Sequence, residues 1–192
     1  MDSVVTTKNI RTKSAARNEL DGLRLTPTQV RQRATRLRLI LTDSDGVLTD
    51  TGVYYSEYGE ILKRFSIRDG MGVELLRACG IETAIITGET SPSVQKRAEK
   101  LGMPHVYLGV HDKRGHLEKI LSENNLTMDQ LGYIGDDVND LSIIESIGKE
   151  GVTAAPADAM PVVATAVHYL CKRNGGHGAF RDFADWIIGL RK

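Results

Sequence analysis

From residue 39 onward, short apolar segments alternate with segments of helical periodicity. LILT at residues 39–42, IETAIIT at 81–87 and LGYI at 131–134 have the length and composition of buried strands. Between the second and third of these lies SPSVQKRAEKLG at 91–102, which opens with Ser91 as a predicted N-cap and closes with a glycine. Strands that alternate with helices form a parallel sheet with helices on both faces. The sequence therefore predicts an α/β fold.

A small β-hairpin interrupts this alternation. GVYYSEYGEILKRFSI is predicted to form two arms, Val53–Tyr55 and Ile61–Phe65, around the turn Glu57-Tyr58-Gly59-Glu60. The remaining predicted strands are HVYLG at 105–109, GVTAA at 151–155 and AVHYL at 166–170. The remaining predicted helices run from Thr26-Pro27 to about Leu37, then over 71–80, 113–124, 139–148 and 178–190, with a short one between the last two strands.

The composition is typical of a soluble globular protein. The chain has 192 residues, 41% hydrophobic and 26% charged, a length that buries a core without disulfides. The two cysteines form no spaced motif and no apolar run spans a membrane, so we expect a cytoplasmic protein with no membrane partner. We expect residues 1–25 to form a flexible basic arm and residues 26–192 a single domain. The arm lacks aromatics, so no nucleic-acid partner is predicted.

Polar side chains follow four of the predicted strands. Because the carboxyl ends of parallel strands meet at one edge of a sheet, these side chains are expected to converge there. Each motif by itself is more often a turn or a helix cap, and it is their joint occurrence in this order that indicates a site. Along the chain they are Asp43 and Asp45, Thr87 and Gly88, Lys113, and Asp136 and Asp137 with Asp140 three residues on.

This set of groups suits phosphoryl transfer. Carboxylates that face one another repel unless a cation lies among them, and hard oxygen ligands suit Mg²⁺ together with a substrate phosphate. One carboxylate can attack phosphorus and form an aspartyl-phosphate. A second, two residues on, can donate a proton to the leaving oxygen and then activate water. A hydroxyl and an ammonium group would hold the phosphate oxygens.

The motifs DSDGVLTD, IITGE, Lys113 and GDDVND together resemble those of the haloacid dehalogenase-like superfamily of phosphatases. The resemblance implies a Rossmann-like parallel sheet and a Mg²⁺ cofactor. It implies that Asp43 is the nucleophile, Asp45 the general acid/base, Thr87 a phosphate-binding hydroxyl and Lys113 the group that orients nucleophile and phosphate. The implied Mg²⁺ ligands are Asp136, Asp43 and the backbone carbonyl of Asp45, supported by Asp137 and Asp140 in an order of importance that stays open.

A narrower resemblance covers about residues 37–186. DGVLTDTGVYY, FSIRDGMGVELLRACGI, RAEKLG, YLGVHDK, YIGDDVND and NGGHGAFRD are similar to the phosphatases of 3-deoxy-D-manno-octulosonate (KDO) 8-phosphate and to relatives that act on nonulosonic acid 9-phosphates. The resemblance implies a sugar acid phosphate as substrate, namely a 2-keto-3-deoxy sugar acid with a terminal phosphate. Ser44 departs from the family, which usually has an apolar residue there.

The spacing of the motifs leaves no room for a cap domain. Asp45 to Thr87 contains only the hairpin, a helix and a strand, and Thr87 to Lys113 contains only a helix and a strand. Another element must therefore cover the site, and a neighbouring subunit is the simplest one. The family forms tetramers through its hairpins, with the glycine-rich tail reaching an adjacent site. This implies a homo-oligomer, a tetramer, in which Gly176 and Gly178 lie near the substrate.

Three more residues bear on the choice of substrate. Arg68 is a candidate to bind a carboxylate or hydroxyls. Glu89, beside Gly88, and Lys100 are expected to form a charge pair at the rim of the site, a combination that resembles the branch acting on N-acylneuraminate or KDN 9-phosphate. KDO 8-phosphate is the more widespread substrate, and RDG at 68–70 fits that branch. We therefore predict KDO 8-phosphate, with the nine-carbon substrates as the alternative.

Hypotheses from other functional classes are weaker. A phospho-accepting receiver domain also groups Asp, Thr and Lys at strand ends, but its acceptor lies on a middle strand. A non-catalytic regulatory module would not need every catalytic group. Asp45 supplies the acid/base that a hydrolase needs and a long-lived phosphoprotein would avoid. Mg²⁺-dependent phosphate release from p-nitrophenyl phosphate would separate these hypotheses from a phosphatase.

Overall fold

Fifteen helices and strands build the part of the chain that the structure describes, residues 25–192 of a computed structural model. The predicted basic arm, residues 1–25, lies outside the described residues apart from Leu25. The strands are β1 (Leu39–Thr42), β2 (Thr49–Ser56), β3 (Gly59–Phe65), β4 (Glu82–Ile86), β5 (Val106–Tyr107), β6 (Leu131–Ile134), β7 (Val152–Ala155) and β8 (Tyr169–Leu170). The helices are α1 (Pro27–Arg36), α2 (Ile67–Ala78), α3 (Pro92–Leu101), α4 (Leu117–Asn124), α5 (Leu141–Gly148), α6 (Pro161–Ala164) and α7 (Ala179–Leu190).

Six of the strands form one sheet in the order β5-β4-β1-β6-β7-β8. Every pairing in it is parallel, and β1 lies near the centre between β4 and β6. Residues of β1 alternate between two hydrophobic cores, one under α1, α2, α3 and α7 and the other under α4, α5 and α6. The predicted α/β fold with helices on both faces is confirmed. The carboxyl ends of β1, β4 and β6 therefore open at one edge.

The helix boundaries follow local capping where it is strong. At the start of α1, the Thr26 hydroxyl accepts a hydrogen bond from the backbone N–H of Gln29, and the side-chain oxygen of Gln29 accepts one from the backbone N–H of Thr26, as a capping box requires. Helix α3 ends at Gly102, whose φ of +62° suits a glycine C-cap. Both ends agree with the sequence prediction to within a residue.

Helix α2 begins earlier than predicted, at Ile67 instead of Met71. Ser66 caps it by accepting a hydrogen bond from the backbone N–H of Asp69. Gly70 and Gly72 lower the intrinsic helix propensity of this segment. Both glycines are buried, and a Cβ atom on Gly72 would stand 3.1 Å from the Cα of Arg181, so close helix packing explains the missing side chain.

The hairpin is longer than predicted. Strand β2 begins at Thr49 and β3 ends at Phe65, and the turn contains only the two residues between Ser56 and Gly59. It forms a separate two-stranded sheet outside the central one. Most of β2 is exposed, although it carries Val and Tyr side chains. Several predicted strands and helices, by contrast, are shorter than predicted, most of all β5 and β8 with two residues each.

No helix within residues 25–192 is long and apolar enough to cross a membrane. The elements that connect Asp45 to Thr87 and Thr87 to Lys113 are those that the sequence predicted, and neither connection contains a cap domain.

Candidate active site

The loop after β1 places Asp43 and Asp45 at the open edge of the sheet. The backbone N–H of Asp43 donates to the carbonyl of Ile134 on β6, which continues the sheet by one residue. Asp43 is 5% exposed. Gly46 has a φ of +87°, and any Cβ atom there would overlap the carboxylate of Asp136. A glycine is therefore required for the loop to turn against the acidic residues that follow β6.

Three carboxylates converge at this edge, as the sequence predicted. One oxygen each from Asp43, Asp136 and Asp140 lie within 4.8 Å of one another. The Oδ1 atom of Asp136 is buried and has no hydrogen-bond partner within the described residues. An unpartnered buried carboxylate oxygen beside two further carboxylates fits a hard cation such as Mg²⁺.

The electrostatics of the cluster also favour a bound cation. Burial and the charge of Asp140 raise the pKa of Asp43 to about 7, although Lys113 and a hydrogen bond from the backbone N–H of Ser44 oppose this shift. Burial and the charges of Asp43 and Asp140 raise the pKa of Asp136 to about 8. Without a cation the cluster therefore resists full ionisation at neutral pH, and a divalent cation would relieve the repulsion.

Lys113 lies beneath the cluster and is buried. Its Nζ atom donates to Asp140 Oδ1 at 2.6 Å and stands 3.0 Å from Asp43 Oδ1. Burial alone would lower the pKa of Lys113, but the charges of Asp43 and Asp140 more than offset it, so the pKa is raised. Lys113 therefore remains a cation that contacts the predicted nucleophile.

Asp140 is wholly buried and occupied by protein donors. Besides Lys113, the hydroxyl of Tyr133 donates to its Oδ1 at 2.6 Å, and the backbone N–H of Asp136 donates to its Oδ2 at 2.9 Å. Asp137, by contrast, is exposed, and its carboxylate accepts from the backbone N–H of Val138. Asp140 thus orients Lys113 and the Asp136 loop, whereas Asp137 caps the short helical turn Val138–Asp140.

The loop after β4 forms the opposite wall of a cavity of about 240 Å³. Thr87 is buried at its base, and its hydroxyl accepts a hydrogen bond from the backbone N–H of Glu89 at 3.2 Å. The predicted residues Asp43, Asp45, Thr87, Gly88, Glu89, Asp136 and Asp137 line this cavity together with Thr51 and Asn139. The structure thus brings the carboxylates, the hydroxyl and the rim glutamate to one place.

Four predicted substrate-binding residues do not line this cavity. Arg68 is exposed in the first turn of α2. Lys100 lines a separate cleft at the C-terminal ends of α2 and α3, so it does not form the expected pair with Glu89 within the chain. Gly176 and Gly178 donate backbone N–H groups to the carbonyl of Val47 and the carboxylate of Asp69, respectively.

The glycine-rich tail packs against the catalytic loop of its own chain. A Cβ atom on Gly175 would overlap the carbonyl of Gly46, and one on Gly176 would overlap the backbone at Thr49 and Asp50. The family resemblance predicted that this tail reaches the site of an adjacent subunit, whereas the contacts in the structure are with its own chain. Within the chain, the glycines allow the tail to support the loop that carries Asp43 and Asp45.

Three residues of this region were not singled out from sequence. Tyr133 lies within an apolar strand segment, which gave no reason to single it out. The available signal was its hydroxyl, a polar group in a buried segment two residues before GDD. Lys63 lies on the hairpin and donates to both carboxylate oxygens of Asp45 at 2.7 Å. Thr51 lines the cavity with a φ of +64°, which is rare for a β-branched residue.

Ser44, which departs from the family, has a buried hydroxyl without a partner in the described residues. Nothing in the structure explains a serine at this position.

Comparisons with known proteins agree with this site. No protein-family model matches the chain. The chain is 38% identical over 157 residues to the 3-deoxy-D-manno-octulosonate 8-phosphate phosphatase KdsC of Yersinia pestis, and the alignment covers 82% of each protein.

Solved structures show the same similarity. The cobalt-bound deoxy-D-mannose-octulosonate 8-phosphate phosphatase of Haemophilus influenzae matches with a TM-score of 0.79 and 34% identity, over 83% of this chain and 92% of that one. The phosphatase of Moraxella catarrhalis in complex with magnesium, phosphate and KDO matches with a TM-score of 0.79 and 30% identity, over 84% of this chain and 91% of that one. The chain therefore belongs to the KdsC family of 3-deoxy-D-manno-octulosonate 8-phosphate phosphatases.

Proposed function

We propose that this chain is a Mg²⁺-dependent phosphatase that hydrolyses KDO 8-phosphate to KDO and phosphate. The observation that carries the proposal is that Asp43 and Asp136 line one cavity opposite Thr87, with the Nζ atom of the buried Lys113 3.0 Å from Asp43 Oδ1. The relatives named above are phosphatases of this substrate, and one was solved with magnesium, phosphate and KDO. These similarities favour the eight-carbon substrate over the nine-carbon alternative.

Asp43 and Asp45 carry out the first half of the reaction. A carboxylate oxygen of Asp43 attacks phosphorus, and the bond from phosphorus to the sugar oxygen breaks, which leaves an aspartyl-phosphate. Asp45 in its protonated form gives its proton to the departing sugar oxygen. Both side chains line the same cavity, as this step requires.

The second half of the reaction uses the same two residues. Asp45, now ionised, removes a proton from water, and the hydroxide attacks phosphorus, which releases Asp43 and phosphate. Thr87 is placed to donate to a phosphate oxygen from the opposite wall, and Lys113 holds the Asp43 carboxylate in position. Preorganised donors of this kind stabilise charge that develops on the transferring group.

Mg²⁺ is the cofactor, and Asp43 and Asp136 are the side chains that would hold it. When bound, it neutralises the carboxylates and the phosphate so that an anionic nucleophile can approach an anionic substrate. Asp140 has no free oxygen for this purpose because Lys113, Tyr133 and the backbone of Asp136 occupy both of its oxygens. We therefore assign Asp140 to orientation and not to direct ligation.

Phosphate release from KDO 8-phosphate tests the proposal directly. We expect activity with Mg²⁺ and none with EDTA. Asp43→Asn should abolish turnover with the fold intact, whereas Asp45→Asn should lower it by about 10²- to 10⁴-fold. Activity that EDTA does not affect, or a fully active Asp43→Asn variant, would refute the mechanism.

Preference for the eight-carbon substrate needs its own comparison. The ratio of kcat/KM for KDO 8-phosphate to that for N-acylneuraminate 9-phosphate is expected to exceed one. Glu89 lines the cavity and is the side chain whose charge an arriving sugar acid would meet. The ratio in Glu89→Arg shows whether Glu89 contributes to this choice. A tenfold preference of the wild type for the nine-carbon substrate would favour the alternative function.

The assembly is proposed to be a homo-oligomer, a tetramer, formed through the hairpins. Tyr54 and Leu62 stand opposite each other on one face of the hairpin and are both more than half exposed. Tyr55, Tyr58 and Ile61 are further exposed side chains of the hairpin with apolar surface. Exposed apolar patches of this kind mark protein contacts, and residues 25–192 include no cap domain that could cover the cavity.

Light scattering tests the assembly. Leu62→Glu is expected to lower the molar mass of the particle and the activity, because a charge replaces an apolar contact. Val162→Glu is the matched control, since Val162 is half exposed on α6, away from the hairpin. A wild type that is monomeric and fully active would overturn the proposed assembly.

A further inference from the structure

Lys63 is a buried cation on the hairpin. It lies on the inner face of β3, and its side chain is only 1% exposed. Its Nζ atom donates to both carboxylate oxygens of Asp45, each at 2.7 Å, and stands 3.4 Å from Glu60. A buried ammonium group must be paired, so this arrangement fixes where the lysine lies.

The same contacts fix Asp45. Besides the two bonds from Lys63, Asp45 Oδ1 receives a hydrogen bond from the hydroxyl of Thr49 at 3.2 Å. Thr49 is the first residue of β2, so all three of these bonds come from hairpin strands. The carboxylate is one-quarter exposed, on the side where it lines the cavity. The hairpin therefore sets the rotamer of a side chain in the active site.

Lys63 also connects this carboxylate to the other wall of the cavity. Glu60, its second partner, accepts a hydrogen bond from the hydroxyl of Ser91. Ser91 ends the loop that carries Thr87, and its hydroxyl does not cap α3, the usual use of a serine at that position. A continuous chain of contacts thus joins the Asp43 loop, the hairpin and the Thr87 loop.

We propose that Lys63 is the positioning residue for the general acid/base: it holds Asp45 in line with the leaving oxygen. This inference rests on the proposed function, since it concerns the proton that Asp45 delivers. Lys63 itself does not line the cavity, and its contact with the reacting groups is the pair of bonds to the Asp45 carboxylate. Its effect is exerted through the placement of Asp45, and misplacement by about 1 Å can cost about 10²-fold in rate.

The leaving group distinguishes this role from a structural one. A sugar alkoxide needs the proton of Asp45 to depart, whereas p-nitrophenolate is stable enough to leave without it. The value of kcat/KM reports the steps up to the first irreversible one, which is the departure of the leaving group. Loss of Asp45 placement should therefore lower kcat/KM for KDO 8-phosphate much more than kcat/KM for p-nitrophenyl phosphate. A general loss of order in the site would lower the two kcat/KM values to a similar extent.

The test is kcat/KM for both substrates in Lys63→Met, which keeps an unbranched side chain of four heavy atoms and removes the terminal donor. We expect about a 10- to 100-fold loss with KDO 8-phosphate and less than about a 3-fold loss with p-nitrophenyl phosphate. Lys63→Arg keeps the charge and should restore most of the ratio between the two substrates. Lys96→Met is the matched control, because Lys96 is an exposed lysine that pairs with Glu99 on α3. It should leave both values unchanged.

A double-mutant cycle adds an independent readout. If Lys63 acts through Asp45, then Lys63→Met should change kcat/KM for KDO 8-phosphate by less than about 2-fold in an Asp45→Asn background. Losses that multiply in the double variant would overturn the proposal. So would a folded Lys63→Met variant whose substrate ratio equals that of the wild type.

Folding and the proposed function are checked separately. Circular dichroism and the thermal midpoint establish that each variant is folded. If Lys63→Met is not folded, the ratio is measured in Lys63→Gln, whose shorter and uncharged side chain cannot make both bonds to Asp45, and an unchanged ratio there overturns the proposal. A wild type that is inactive on both substrates would refute the proposed function, whereas an active wild type with an unchanged ratio in the variants refutes the role of Lys63 alone.

Discussion

Asp140→Asn should destabilise the protein far more than the same change at Asp137, three residues earlier. Asp140 is wholly buried and accepts from Lys113, Tyr133 and the backbone of Asp136. An amide in its place removes the charge that compensates a buried cation and sets an N–H₂ group against donors. Removal of one partner of a buried ion pair costs about 3–5 kcal/mol.

In the metal-free protein we expect a loss of stability at the lower end of this range. Asp140 also repels Asp43 and Asp136, and the loss of its charge relieves part of that repulsion. We therefore expect the free energy of unfolding of Asp140→Asn to fall by about 3 kcal/mol in urea denaturation with EDTA. Asp137→Asn should change it by less than about 1 kcal/mol, since asparagine caps a helix as well as aspartate. A value for Asp140→Asn within 1 kcal/mol of the wild type would refute this account of the Lys113 site.

Three further predictions concern the backbone and the charges of the site. Thr51→Gly should raise the free energy of unfolding by about 1 kcal/mol, because it removes a β-branched residue from the left-handed region; a loss of stability in urea would contradict this. Gly46→Ala should abolish Mg²⁺ binding in calorimetry, since the added Cβ overlaps the Asp136 carboxylate; wild-type affinity would contradict it. In EDTA, stability should fall as the pH rises from about 4 to about 8. The folded state raises the pKa of Asp43 to about 7 and that of Asp136 to about 8, so it binds more protons than the unfolded state until the pH exceeds both values. Saturating Mg²⁺ should flatten this dependence of the urea midpoint, and an unchanged slope would contradict the assignment.

The central sheet could be predicted from the sequence because each part of it has a local signal. The β1 segment LILT is apolar and short, and the helices α1 and α3 open with a Thr-Pro or Ser-Pro pair. The convergence of Asp43, Thr87 and Asp136 also followed, since strand ends in a parallel sheet share one edge. These predictions needed only the order of elements along the chain.

Other features depend on contacts between distant segments, and local patterns do not encode them. The pairing of Lys63 with Asp45 depends on how the hairpin folds over the loop, and Lys63 in ILKRF resembles any strand lysine. The early start of α2 depends on close packing at buried glycines, at Gly70 against α3 and at Gly72 against α7. Glu89 and Lys100 have helical spacing by count, but Glu89 lies in a loop before α3, so the spacing does not apply.

The nucleophilic role of Asp43 is the central claim, and trapping of the phosphoenzyme tests it most directly. The wild type would be mixed with KDO 8-phosphate and Mg²⁺, quenched in acid within milliseconds, digested and analysed by mass spectrometry. We predict one added phosphoryl group on the peptide that contains Asp43, which appears and decays with turnover and is absent in Asp43→Asn. A phosphoryl group on another residue, or an Asp43→Asn variant that still releases phosphate at the wild-type rate, would contradict the account.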